Sequence, residues 1–134
     1  MRRAEGGFTL MELTVVIVII GILAAVAVPL YINYVKDAQR TEAKGAIGAV
    51  VTAEQTWYQV HSTYIMDTFI QDPTHHPGQT LNCDLTDALN NWDISVTQAD
   101  ESGFTVVATG KSAAAGLAQS FVYTRSGQST WTPP

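Results

Sequence analysis

The sequence predicts an α+β fold: a long N-terminal helix packed on a small antiparallel β-meander of three to four strands. Three observations predict it. Residues 13–35 carry no charged side chain. The apolar positions that follow, Ala43, Ile47, Val50, Ala53, Trp57, Val60 and Tyr64, recur at spacings of three and four, one stripe of a helix. The C-terminal third instead alternates apolar and polar residues with the period of a strand.

The chain opens with a polar leader, Met1-Arg2-Arg3-Ala4-Glu5-Gly6-Gly7, that stops at Phe8. The uncharged run of 23 residues spans about 34 Å as a helix. That is enough to cross a hydrocarbon layer of about 30 Å. Arg2 and Arg3 precede the run, which places them on the cytoplasmic side and the bulk of the chain across the membrane. Tyr31 and Tyr34 fall near the far interface, where amphipathic rings are favoured. This accounts for them better than electron transfer does. Gly21 and Pro29 lie inside the run. Proline lacks an amide donor and clashes with the carbonyl of residue 25, so a kink is expected there.

Two simpler readings compete. A secretory signal peptide would end at Ala25-Val26-Ala27, but Glu12 stands at the head of the run and the apolar stretch continues to Ile32. A plain single-span anchor explains the length but neither the glycine pair nor Glu12. A carboxylate inside a bilayer costs about 2.5–3.5 kcal/mol at the centre and less near an interface. Glu12 therefore either reaches back to the cytoplasmic headgroups or has a partner.

Gly6-Gly7-Phe8-Thr9-Leu10-Met11-Glu12, followed by the apolar run, resembles the type IV prepilin family, including the pseudopilins of type II secretion. The resemblance covers residues 6–42. It implies a leader (residues 1–7) removed after Gly7 by a prepilin peptidase, and a new N-terminal Phe8 that is N-methylated. It implies assembly roles for Thr9, Leu10 and Glu12, and a stretch bracketed by Gly21 and Pro29 that unwinds in filaments. Glu12 becomes the fifth residue of the mature chain, at a depth similar to the Phe8 amine. Glu12 of an incoming subunit could then pair with the Phe8 amine of one already assembled, an attraction strengthened by desolvation. The implied partners are other copies of the chain in a helical filament, the peptidase, and an assembly platform with its ATPase. The implied location is the inner membrane before assembly and a surface pilus after it. The alternative is a short periplasmic pseudopilus. No cofactor is expected.

Residues 8–35 are thus expected as the membrane and filament-core helix, 36–64 as its amphipathic continuation, and 65–134 as the head. No turn signal interrupts the polar stretch from Lys36 to Lys44, so one helix should continue to residues 61–64. Gly45 and Gly48 each weaken it by about 1 kcal/mol relative to Ala. Residues 66–91 read mostly as loop, with turn-rich Asp72-Pro73-Thr74-His75-His76-Pro77-Gly78. A short helix over 84–89, capped by Asn82 or Asp84, is expected within it. Strands are expected over 92–97, 104–108 and 120–124, with a short fourth over 128–131. Their inward residues should be Trp92, Ile94, Val96, Phe104, Val106, Phe121 and Tyr123.

Composition narrows the function. The formal charge of -5 becomes about -6 once Arg2, Arg3 and Glu5 leave with the leader, which argues against nucleic acid as a direct high-affinity ligand. The single cysteine, Cys83, cannot close a disulfide within one chain. His75-His76 are poor chelators without a third ligand and read as a polar loop. No carboxylate lies between Gly103 and the C-terminus, so the C-terminal calcium site of major pseudopilins has no acidic ligands here. No nucleophile–base arrangement, phosphate loop or acid–base carboxylate pair stands out, and Trp57-Tyr58 fits helix–sheet packing rather than a sugar platform. The chain is not expected to be an enzyme.

Overall fold

The structure, a computed structural model, describes residues 6–66, 81, 83 and 85–133. The chain divides into two compact units, Met1–Val35 and Lys36–Pro134. A single helix, α1, runs Leu10–His61 and contributes to both. In the first unit every described residue is exposed, so its apolar side chains are left uncovered. α1 is long and apolar enough to cross a membrane. It passes through Gly21 and Pro29 without a break in assignment.

The second unit packs the rest of α1 on an antiparallel meander. Its strands are β1 (Trp92–Ala99), β2 (Gly103–Gly110), β3 (Ala118–Thr124) and β4 (Ser129–Thr132), in the order β1-β2-β3-β4. Chain order equals sheet order because each strand is joined to the next by a tight connection. Gly110 is required where β2 ends: a side chain there would lie 2.0 Å from the Ala114 carbonyl. Gly127 turns β3 into β4 at φ 98, a conformation that favours glycine.

The core joins Ala43, Ile47 and Val50 of α1 to Trp92, Ile94 and Val96 of β1 and Phe104 and Val106 of β2. All the expected inward residues are buried except Tyr123, which is half-buried. Two polar residues lie fully inside and were not expected there. Gln119 donates to the Pro133 carbonyl at 2.6 Å, and Glu54 accepts from the Ile65 amide at 3.1 Å.

The expected helical stripe needs correction at its end. Val60 is 75% exposed, and Glu54 occupies the core face instead. Ala43, Ile47, Val50 and Glu54 advance by four, three and four and stay on one face, whereas Ala53 and Val60 drift toward the flank. The helix expected over 84–89 is also corrected. Thr86 and Asp87 form a turn and Ala88–Asn90 a single 3-10 turn, because so few residues cannot offset helix nucleation. Leu81, Leu85 and Ala88 bury themselves in the core, so this segment is less purely loop than its composition reads. The 72–78 segment with His75-His76, and the cap candidates Asn82 and Asp84, lie outside the described residues.

Tyr64, just past α1, is buried among Tyr58, Phe104 and Tyr123, with ring centroids 4.6, 4.9 and 5.8 Å away. Burial, then the hydrogen bond with Tyr123, pushes its phenol up to about 12. The neutral form is the one the fold favours, so this stability is complete below the unfolded tyrosine value near 10 and is lost as pH rises toward 12. Urea unfolding should therefore weaken by about 1–3 kcal/mol between pH 9 and 12. Tyr64→Phe should show a smaller drop over the same range; an equal drop would assign the loss to other groups.

Candidate assembly site

The residues singled out at the N-terminus are placed by the start of α1. Thr9 stands just before the first helical residue, Leu10, and Glu12 is the third residue inside. This Thr-x-x-Glu spacing builds a reciprocal cap. The Glu12 amide donates to Thr9 Oγ1 at 3.2 Å, while the Thr9 amide donates to Glu12 Oε2 at 2.9 Å. The Thr9 hydroxyl also donates to Oε2 at 2.9 Å. Two amides that a helix start leaves without partners are satisfied at once. Read only as a charge in an apolar setting, Glu12 does not reveal the cap. Its signal was present as Thr9-Leu10-Met11-Glu12.

The cap uses one carboxylate oxygen. Oε1 accepts no hydrogen bond from the described residues and faces outward on an exposed helix end. Glu12 is thus held in one rotamer with its charge still open to a cation. Phe8 is 93% and Leu10 84% exposed, and neither packs against its own chain. Nothing lies within 4 Å of the position a side chain would take at Gly6, Gly7 or Gly21. The fold therefore gives no internal reason for glycine at these positions. Replacing Thr9 by Ala should remove the cap at a cost of about 1 kcal/mol. Hydrogen exchange at the amides of residues 10–13 should then quicken several-fold with the rest of α1 unchanged; unchanged protection would refute the cap.

The site brings Thr9, Leu10 and Glu12 together on the first turn of α1, with Gly7 and Phe8 immediately before it. Gly21 and Pro29 lie further along the exposed apolar stretch and take no part in the cap. Among the described residues no group of three or more His, Cys, Asp or Glu side chains could hold a metal ion. Cys83 is half-buried.

Two family models match, on adjoining stretches. Residues 2–28 match the prokaryotic N-terminal methylation motif, and residues 29–119 match the family described as type IV minor pilin ComP, DNA uptake sequence receptor. The chain belongs to the type IV pilin family. It is similar to a fimbrial protein of Pseudomonas aeruginosa, 34% identical over 116 residues that cover 86% of this chain and 75% of that one. It is also similar to the type IV major fimbrial protein FimA of Dichelobacter nodosus, 32% identical over 143 aligned positions, covering 98% of this chain and 89% of FimA. A type IV major alpha-pilin of Moraxella bovis is 51% identical over 51 residues, 38% of this chain and 32% of that pilin. No solved structure matches the chain significantly. The methylation motif contains the whole capped helix start, from the glycine pair through Glu12 to Gly21. This pilin carries a structural subunit's apparatus, an apolar helix unmatched within its own chain and a small α+β head.

Proposed function

We propose that this pilin is made as a membrane precursor, cut after Gly7, N-methylated at Phe8 and polymerised into a helical surface filament. The observation that carries the proposal is the combination of an apolar stretch of α1, exposed throughout residues 10–35, with a charge-bearing cap at its start. Before assembly, lipid covers the apolar side chains, with the leader cytoplasmic and the head across the inner membrane. In the filament, the same side chains cover one another. Lipid tails are as apolar as Leu or Ile, so burial alone does not drive that transfer. Helix packing, pairing of Glu12 with a neighbour's Phe8 amine, and an ATPase acting through the assembly platform supply the rest. Unwinding between Gly21 and Pro29 lets the helix adjust to its neighbours during packing, since both residues weaken the helical hydrogen-bond ladder.

The similarity to fimbrial proteins supports a pilus over the short pseudopilus of type II secretion. Among filament roles, the ComP family match supports DNA uptake ahead of adhesion or motility. The acidic composition argues that any DNA contact is weak. The test compares sheared surface fractions from cells with and without this chain. Deletion is expected to remove or sharply deplete filaments seen by electron microscopy, and complementation to restore them. Unchanged filaments in the deletion strain, with the protein of wild-type cells confined to the membrane, would favour the pseudopilus.

A further inference from the structure

Charge is divided between two flanks of α1 in the head. Lys36, Arg40 and Lys44 are spaced four apart and follow one flank. Glu42 is two residues from both Arg40 and Lys44, and two residues turn a helix by about 200°. Its carboxylate therefore projects from the opposite flank. It borders an open groove with Thr41, Gly45 and Ala49 on the helix side and Leu85 and Asp87 on the other. Nothing lies within 4 Å of the missing side chain of Gly45, so the helix wall is clear.

Among the described residues that line it, the groove has two carboxylates and no cation. Glu42 receives one long hydrogen bond, 3.4 Å from Asn91 Nδ2, and the exposed Asp87 makes no side-chain capping bond. The basic flank differs along its length. Arg40 is 3.6 Å from Asp37, and the Lys44 ammonium sits 5.6 Å from the Trp131 ring centre. Lys36 is exposed, and among the described residues it has no anionic partner.

We propose that the Glu42–Asp87 groove receives the Lys36 flank of a second copy of this chain, an inference that rests on the pilus-subunit reading. The two surfaces differ and Lys36 lies about 120° round the helix from Glu42, so each copy that fills a groove presents another. Such a head-to-tail contact does not close into a dimer and propagates as an open helix. Setting one copy's Lys36 level with another's Glu42 displaces the two by six residues, about 9 Å at helical rise. An exposed ion pair contributes little affinity of its own, so its main effect is on register. A slip that sets basic flank against basic flank is penalised.

Charge exchange tests this in cells that express the full chain. Lys36→Glu, Glu42→Lys and Asp87→Lys should each lower sheared filament yield about tenfold, because like charges then meet in every repeat. The processed protein in the membrane should be unchanged. Lys36→Glu combined with Glu42→Lys, or with Asp87→Lys, should recover most of the yield. Asp87 is exposed and bears no cap, so its variant separates docking from any effect of Glu42→Lys on the Asn91 contact. Full yield from the single variants, or doubles as poor as the singles, would overturn the docking while leaving the pilus reading intact. Absence of filaments from wild-type cells would overturn both.

Discussion

Replacing Glu12 with Gln should leave the protein inserted and processed but nearly abolish filaments. One carboxylate closes the observed cap and, in the proposed filament, pairs with a neighbour's amine. Oε2 closes the cap with Thr9, and Oε1 stays open to a neighbour's Phe8 amine. Glutamine keeps an oxygen for the cap but removes the charge. Losing one member of a buried ion pair costs about 3–5 kcal/mol because the other charge is left unpaired. In an assembly equilibrium that is on the order of a hundredfold or more. Glu12→Ala removes both roles and should fail at least as completely. Thr9→Ala removes only the cap and should retain far more filament than either. The readout is filament yield from sheared cells, normalised to processed protein in the membrane. Wild-type yield from Glu12→Gln would end the pairing account, whatever happens to the cap.

Replacing Gly7 with Leu should stop maturation altogether. Position 7 is exposed and nothing lies within 4 Å of a Cβ added there, so the substitution meets no steric obstacle where the side chain begins. A requirement for glycine there must come from another molecule, and a peptidase that threads the backbone at the cut is the one the motif implies. The expected product is full-length chain starting at Met1, held in the membrane. Its Phe8 nitrogen remains in a peptide bond and offers no positive charge to Glu12, so filaments should be absent as well. A mature-length product from Gly7→Leu would place the cut elsewhere.

The extent to which the sequence foretold this molecule follows from which signals are local. The uncharged run, the period-two strands and the short turns are all local, and the helix and meander followed from them. Residues 104 and 106 on β2 pair with 123 and 121 on β3, and the alternation places all four toward the helix. Glu54 was missed because charge was read as exposure. Its neighbour Ala53 was chosen in its place, though the helical angle favours Glu54 and the Ile65 amide gives the buried carboxylate a donor. Gln119 was missed for the same reason, and its partner Pro133 lies a strand away. The Thr9–Glu12 cap was fully encoded in four consecutive residues but was masked by the attention given to Glu12 as a membrane charge. The division of charge between the flanks of α1 was not legible in the same way. Arg40, Glu42 and Lys44 read as a solvated face or subunit contacts until Leu85 and Asp87, more than 40 residues on, supplied the second wall of the groove.

The central claim is that this chain is cut at Phe8 and built into a filament, and one mass measurement tests both halves. Surface filaments are sheared from cells and the intact mass of this protein is taken from that fraction. The account predicts an abundant species that begins at Phe8 and carries one added methyl group. A mass beginning at Val28, at the end of an ordinary signal peptide, would contradict it, as would a mature form found only in the membrane and never in the filament fraction.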